Sequence, residues 1–248
     1  MVFKRLASMF RRLQLIPSAS PTTQRDSSAP EGLGMGVTLR GLRNRGYLAR
    51  TVYDVGASDG QWTELALSTW PDAQYVCFEP LVERRTALER LASTHPGQIQ
   101  VLPVGLGDED AELELGVTDV LWDSSFAYRG SSARLVPVRR LDSLLEEGRI
   151  SPPDLVKVDV QGFERRVVAG GPKAFSSAQL VLLECNLFAF CPEMTTLDET
   201  FAFMSARGFI PYEFVDFLRR PLDGAMGQCD ILFVRRGHWL VGDNRWSA

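Results

Sequence analysis

Histidine and cysteine are scarce in this chain, and their scarcity closes several routes. Only His95 and His238 are present among 248 residues, and neither lies near a nucleophile elbow, which argues against a Ser-His-Asp hydrolase. The cysteines, Cys77, Cys185, Cys191 and Cys229, are widely spread with no CxxC pair. A zinc site is therefore not expected. Cys77 and Cys185 fall in apolar, strand-like runs and read as buried reduced thiols. A net positive charge is also lacking: 27 Lys and Arg face 31 Asp and Glu, for a formal charge of −4. Nucleic acid is accordingly not the expected partner. No run of about 18 apolar residues occurs, and the first residues lack the continuous apolar core of a secretory signal. Both absences predict a cytoplasmic protein.

What remains is ordinary globular composition, 45% hydrophobic and 23% charged, enough for one well-buried α/β domain plus a tail. Residues 1–16, MVFKRLASMFRRLQLI, carry Lys4, Arg5, Arg11 and Arg12 and no acid, with Leu6, Met9, Phe10 and Leu13 at helical spacing. This basic amphipathic tail is suited to peripheral contact with an anionic membrane surface, although packing within the molecule or fraying is the simpler and preferred account. Residues 17–36 are rich in Ser, Pro, Thr and Gly and read as a flexible linker. The folded domain is expected over 37–248.

Along that domain, strands and helices alternate. VTLRGLRNRGYLA predicts a helix, TVYDVG a buried strand, DGQWTELALSTW a helix and AQYVCFEP a second strand. The helical stretch LVERRTALERLAST, the strand IQVLPVGLG, and the strands PDLVKVDVQG and AQLVLLECNL around the helix FERRVVAGG continue the pattern. Such alternation implies parallel βαβ units with right-handed crossovers. AELELGV and RLVPVRRL read as an inserted strand pair before the helix LDSLLEE, and FIPYEFVDFL with QCDILFVRR as a C-terminal antiparallel hairpin. The predicted fold is a Rossmann-like, doubly wound α/β domain with a mostly parallel sheet.

In such a sheet the ligand lies at the carboxyl ends of the strands. The stretch VYDVGASDGQWT places Asp54, Gly56, Ala57 and Gly60 at the end of the first strand, where small residues let backbone approach a ligand. The spacing is Gly56-x-x-x-Gly60, and the GxGxxG of a dinucleotide site is missing. Glu79, followed by Pro80, ends the second strand, where an acid can accept hydrogen bonds from the ribose of a nucleoside-like cofactor. A helix cap is the plainer role for it. Asp108 closes VGLGD after the third strand, where an adenine amine could meet a carboxylate or the chain could simply turn.

The segments DVGASDGQWT, CFEP, SSF at Ser124–Phe126, VPVRRLDSL and LVKVDVQGFERRVVAGG, taken in that order, resemble the FkbM family of class I S-adenosylmethionine-dependent methyltransferases over about Leu39 to Leu187. KVDVQGFE is the most specific part, with Gln161 where many members show Glu. The resemblance implies methyl transfer from S-adenosylmethionine, often to a hydroxyl of a sugar or natural product. It further implies Asp54, Gly56 and Gly60 beside the methionine portion, Glu79 at the ribose, and the segment with Ser124 and Ser125 over the cofactor and a small-molecule or glycan acceptor.

Chemistry at the acceptor needs alignment of an oxygen with the methyl carbon, and removal of its proton by a base or a metal. Lys157 and Asp159 alternate with Val156 and Val158 and so share one face of their strand, while Glu184 and Asn186 end the next strand. Lys157, Asp159 and Glu184 are the catalytic candidates, with Asn186 at the acceptor. Asp159, Glu184 and Asn186 also form an oxygen-ligand set for Mg²⁺. Trp122, Phe126, Tyr128, Phe188 and Phe190 are candidates for an acceptor wall or for plain core packing. The competing readings are a cofactor-binding scaffold without turnover and, less well matched, a nicotinamide-dependent dehydrogenase.

Overall fold

The computed structural model describes residues 34–247 apart from 120, 122, 123, 128 and 129. The basic tail, almost all of the linker, Trp122 and Tyr128 lie outside the described residues. The first helix among the described residues, α1, covers Met35–Asn44, opening two residues before Val37, so Met35 and Gly36 belong to the domain. β1 (Thr51–Val55) and β2 (Gln74–Phe78) are short and almost wholly buried, as their β-branched and aromatic residues favour. Between them lies α2 (Gln61–Thr69), and α3 (Val82–Thr94) leads to β3 (Ile99–Leu102).

The expected strand IQVLPVGLG is two strands, because Pro103 has no N–H for a ladder. β3 ends at Leu102, and β4 (Gly105–Leu106) joins another sheet. There it pairs parallel to β6 (Ser132–Arg139), which pairs antiparallel to β5 (Ala111–Val117). The inserted strand pair is thus part of a three-stranded sheet of order β4-β6-β5.

α4 (Leu141–Glu146), β7 (Leu155–Val158), α5 (Glu164–Ala169), α6 (Pro172–Ser177) and β8 (Leu180–Asn186) follow. α7 (Leu197–Ser205), which the sequence reading left unassigned, opens with a capping box between Thr196 and Glu199. β9 (Phe209–Arg219) and β10 (Met226–Arg235) are the antiparallel hairpin read from the sequence.

The main sheet runs β3-β2-β1-β7-β8-β10-β9, parallel from β3 to β8 and antiparallel from β8 to β9. Helices cover both faces. Leu39, Leu42, Ala66, Leu67, Leu88 and Leu91 of α1–α3 pack on one side with Val52, Leu155 and Leu182. Leu141, Val167, Phe175 and Met204 of α4–α7 pack on the other with Val55, Val158 and Leu183. The chain winds outward from β1 to β2 and β3, then returns across to β7 and β8. That reversal opens a crevice between β1 and β7 at their carboxyl ends, where open α/β sheets bind ligands.

Candidate active site

A cleft of about 510 Å³ lies at that crevice. Its floor begins in the loop after β1. Gly56 adopts φ +76°, and a Cβ there would run into the Asp159 carbonyl oxygen. Gly56 and Ala57 N–H groups both donate to Phe78 O, at 3.0 and 3.1 Å. The glycine is therefore demanded by the crossing of the β1 and β7 ends, and both Gly56 and Ala57 line the cleft. Gly60 does not. It adopts φ +90° ahead of α2, and a Cβ on it would lie 2.8 Å from Leu91 Cδ2, so it serves the packing of α2 on α3.

Ser58 sits in the left-handed region at φ +50°, which aims its N–H at Glu79 Oε2, 2.9 Å away. Glu79 Oε1 accepts from Leu81 N–H at 2.8 Å, just ahead of α3. The carboxylate thus straps the β1 loop to the β2 end and also braces the α3 entrance, as the capping role would have it. It lines the cleft beside Pro80. Burial pushes its pKa up while the two backbone donors pull it down, with burial prevailing.

Asp54 lies beneath the cleft, fully buried. Thr63 Oγ1 donates to its Oδ2 at 2.6 Å, and Lys157 Nζ stands 3.2 Å from Oδ1. Lys157 also reaches Asp159 Oδ2 at 3.4 Å and donates to Gly56 O at 3.0 Å. Burial alone would lower the Lys157 pKa, but Asp54 and Asp159 outweigh it and raise the value. Lys157 therefore joins β1 to β7 as a buried cation held by Asp54, Asp159 and Gly56 O.

Beyond it the wall turns acidic. Asp159 Oδ1 accepts from Gln161 Nε2 at 3.0 Å. Gln161 Nε2 lies 3.3 Å from Glu184 Oε1, which also accepts from Gln228 Nε2 at 3.1 Å. Glu184 stands directly opposite Asp230 in the β8–β10 ladder. Burial, then Asp159, pushes the Asp230 carboxyl up to about 7, and burial with Asp159, Glu164 and Asp230 raises Glu184 well above the usual carboxylate range. Asp230 and Gln228 were missed in the sequence reading. The one signal was an acid within the apolar run QCDILFVRR, and only strand pairing connects it to Glu184.

Asp59 and Gln61 also line the cleft, and an apolar part is formed by Leu81, Val104, Leu106, Leu115, Leu121 and Phe126. Of the inserted serines, Ser124 Oγ accepts from Thr118 N–H at 3.2 Å and lines the cleft. Ser125 is buried. Its hydroxyl donates to Gln161 O at 2.6 Å and accepts from Ala127 N–H at 2.9 Å, tying the inserted sheet to the loop after β7. Glu164 Oε1 accepts from Val160 and Gly162 N–H, each at 3.0 Å, and holds the same loop.

Asp108 is not brought to the cleft, because the strand break at Pro103 carries it outward to an exposed pair with Arg166 at 3.4 Å. Asn186 is buried but does not line the cleft. Phe188 lies under the Arg220 guanidinium, and neither it nor Phe190 lines the cleft. A magnesium set of Asp159, Glu184 and Asn186 does not assemble. Asn186 is buried outside the cleft lining, and the two carboxylates share the Gln161 amide. Among the described residues no group of three or more His, Cys, Asp or Glu is arranged to hold a metal ion. Nor is any helix among them long and apolar enough to cross a membrane.

The segment from the strap region to the start of β9, residues 54–211, matches the family described as Methyltransferase FkbM domain. This chain belongs to the FkbM methyltransferase family. The match covers well over half of the chain and contains most of the cleft, but it ends before Gln228 and Asp230. The 2-O-methyltransferase NoeI of Sinorhizobium fredii is 28% identical over 152 residues, which cover 54% of this chain and 62% of that protein. The hexuronic acid methyltransferase AglP of Haloferax volcanii is 24% identical over 135 residues, which cover 54% of this chain and 55% of that one. The chain thus spans about three-fifths of the length of these relatives. An FkbM methyltransferase from Methylobacillus flagellatus KT has a TM-score of 0.49 at 18% identity, covering 74% of this chain and 43% of its own. With membership in a methyltransferase family and no GxGxxG, the dehydrogenase reading has no support left.

Proposed function

We propose that this FkbM-family methyltransferase uses S-adenosylmethionine to methylate a hydroxyl of a saccharide or natural-product acceptor. The observation that carries the reading is the strapped Glu79 carboxylate at the β2 end, in one cleft with an apolar set and an acid-and-amide set of side chains. The residues fit the cofactor. Glu79 accepts one hydrogen bond at each oxygen within the protein, leaving lone pairs for two vicinal ribose hydroxyls. Leu81, Val104, Leu106 and Phe126 offer an apolar seat for a base, and Trp62 Nε1, buried and without a protein partner, is a donor at the cleft. The activities for which NoeI and AglP are named support oxygen and sugar as acceptor atom and class.

When bound, S-adenosylmethionine supplies a methyl carbon already activated by a cationic sulfonium. The protein's work is to align the acceptor oxygen and exclude water, which together can lower a barrier by roughly 7–11 kcal/mol. Asp159 is the partly exposed carboxylate of the wall, oriented by Lys157 and Gln161, and it takes the hydroxyl proton. Lys157 is a positioning residue. No step runs through a metal.

Calorimetric titration with S-adenosylhomocysteine tests the reading. One-to-one binding is expected, weakened by about 1–3 kcal/mol in Glu79→Gln, the scale of a lost charged hydrogen bond. A folded protein that does not bind would sink it. Binding without turnover against any hydroxylated acceptor, unchanged by Asp159→Asn, would support the scaffold reading instead.

A further inference from the structure

The acceptor end of the cleft is assembled from two sources. β7 and β8 bring Asp159, Gln161 and Glu184, inside the family-matched segment, whereas β10 brings Gln228 and Asp230 from outside it. Pairing of β8 with β10 places Asp230 opposite Glu184, and Gln228 Nε2 bonds Glu184 Oε1 at 3.1 Å. Three carboxylates and two carboxamides therefore face the same space. Among the described residues that line the cleft, Lys157 is the one cation, and it is already held by Asp54, Asp159 and Gly56 O. Glu184 Oε2 is buried in the wall without a partner.

A ligand group that meets this wall is favoured when it can donate hydrogen bonds and brings no negative charge. Hydroxyls donate to carboxylates in strong, charge-assisted bonds, and carboxamides can accept from or donate to the same hydroxyls. An added carboxylate would face like charges with no free cation, at a cost that suppresses binding. Burial first, and Asp159 after it, already raise both Glu184 and Asp230. Resting on the methyl-transfer reading above, we infer that the acceptor is a polyhydroxylated ring without an anionic substituent, neutral or bearing an amine. The terminal hairpin, through Gln228 and Asp230, enforces that choice.

The test is saturation-transfer NMR on the full chain saturated with S-adenosylhomocysteine, using the methyl glycosides of glucose, glucosamine and glucuronic acid at pH 7.5. The glucoside and glucosaminide are expected to receive saturation, with the glucuronide bound about tenfold more weakly or worse. Asp230→Asn should narrow that gap, with its S-adenosylhomocysteine affinity unchanged as evidence of an intact fold. Glu184→Gln is the second variant if the first does not fold. A glucuronide that binds the wild type as well as the glucoside overturns the inference, and so does the absence of saturation transfer to all three. If S-adenosylhomocysteine itself fails to bind, the methyl-transfer reading falls instead, which keeps the two failures apart.

Discussion

Lys157 shows how one side chain can hold a site together through several contacts at once. It neutralises Asp54, a fully buried carboxylate whose pKa burial pushes up, and it orients Asp159 at the surface of the cleft. Removing one member of a buried ion pair leaves the other uncompensated, which typically costs about 3–5 kcal/mol. Lys157→Met is therefore expected to lower stability by that order in chemical denaturation, well before any question of activity arises. Asp230 has the opposite character. Its folded carboxyl binds a proton more tightly than the unfolded one, so stability falls as pH rises from about 4, the ordinary carboxylate value, to about 7, and levels off above. Melting temperatures of the wild type measured across that window should decline, and Asp230→Asn should decline less. Equal slopes would mean that Asp230 titrates like an exposed acid.

At the scale of elements, the loop after β1 explains why two glycines so similar in sequence differ in purpose. Gly56 is required by its contact with the end of β7, and Gly60 by the leucines of α3. Substitution at Gly56 cannot selectively probe the cofactor. Gly56→Ala has no room against the Asp159 carbonyl and a φ of +76° besides, so it is expected to lose cooperative unfolding in a thermal melt. Gly60→Ala meets only flexible leucine methyls and the cost of a positive φ, about 1 kcal/mol. It should fold with a lowered melting temperature and bind S-adenosylhomocysteine as the wild type does. An unaltered melt for Gly56→Ala would show that the β1–β7 crossing is looser than described.

For the whole molecule, the two helical layers pack their apolar faces on the main sheet among the described residues 34–247. A fragment beginning at Gly34 should therefore fold and keep its S-adenosylhomocysteine response, seen as a rise in melting temperature through mass action. Loss of the response in a folded fragment would place part of the binding energy in residues 1–33. The terminal hairpin is the other whole-molecule feature. It extends the parallel sheet by two antiparallel strands and, in doing so, delivers an acid from the far end of the chain to the cleft.

The alternation of short apolar strands with helical stretches determined the doubly wound class, because periodicity is a local property of the chain. The positions of Gly56, Glu79, Lys157, Asp159 and Glu184 at strand ends were legible for the same reason, since the carboxyl edge of each strand follows from where its apolar run stops. The division of one predicted strand at Pro103 was signalled by the proline, but its consequence, the removal of Asp108 from the cleft, depended on which sheet each half joined. Only tertiary structure decided that Gly60 faces α3, that Ser125 spends its hydroxyl on the Gln161 carbonyl, and that Asp230 stands opposite Glu184. Each of these is a contact between segments far apart in the chain. Local pattern fixes which face a residue shows, while packing alone fixes what that face meets.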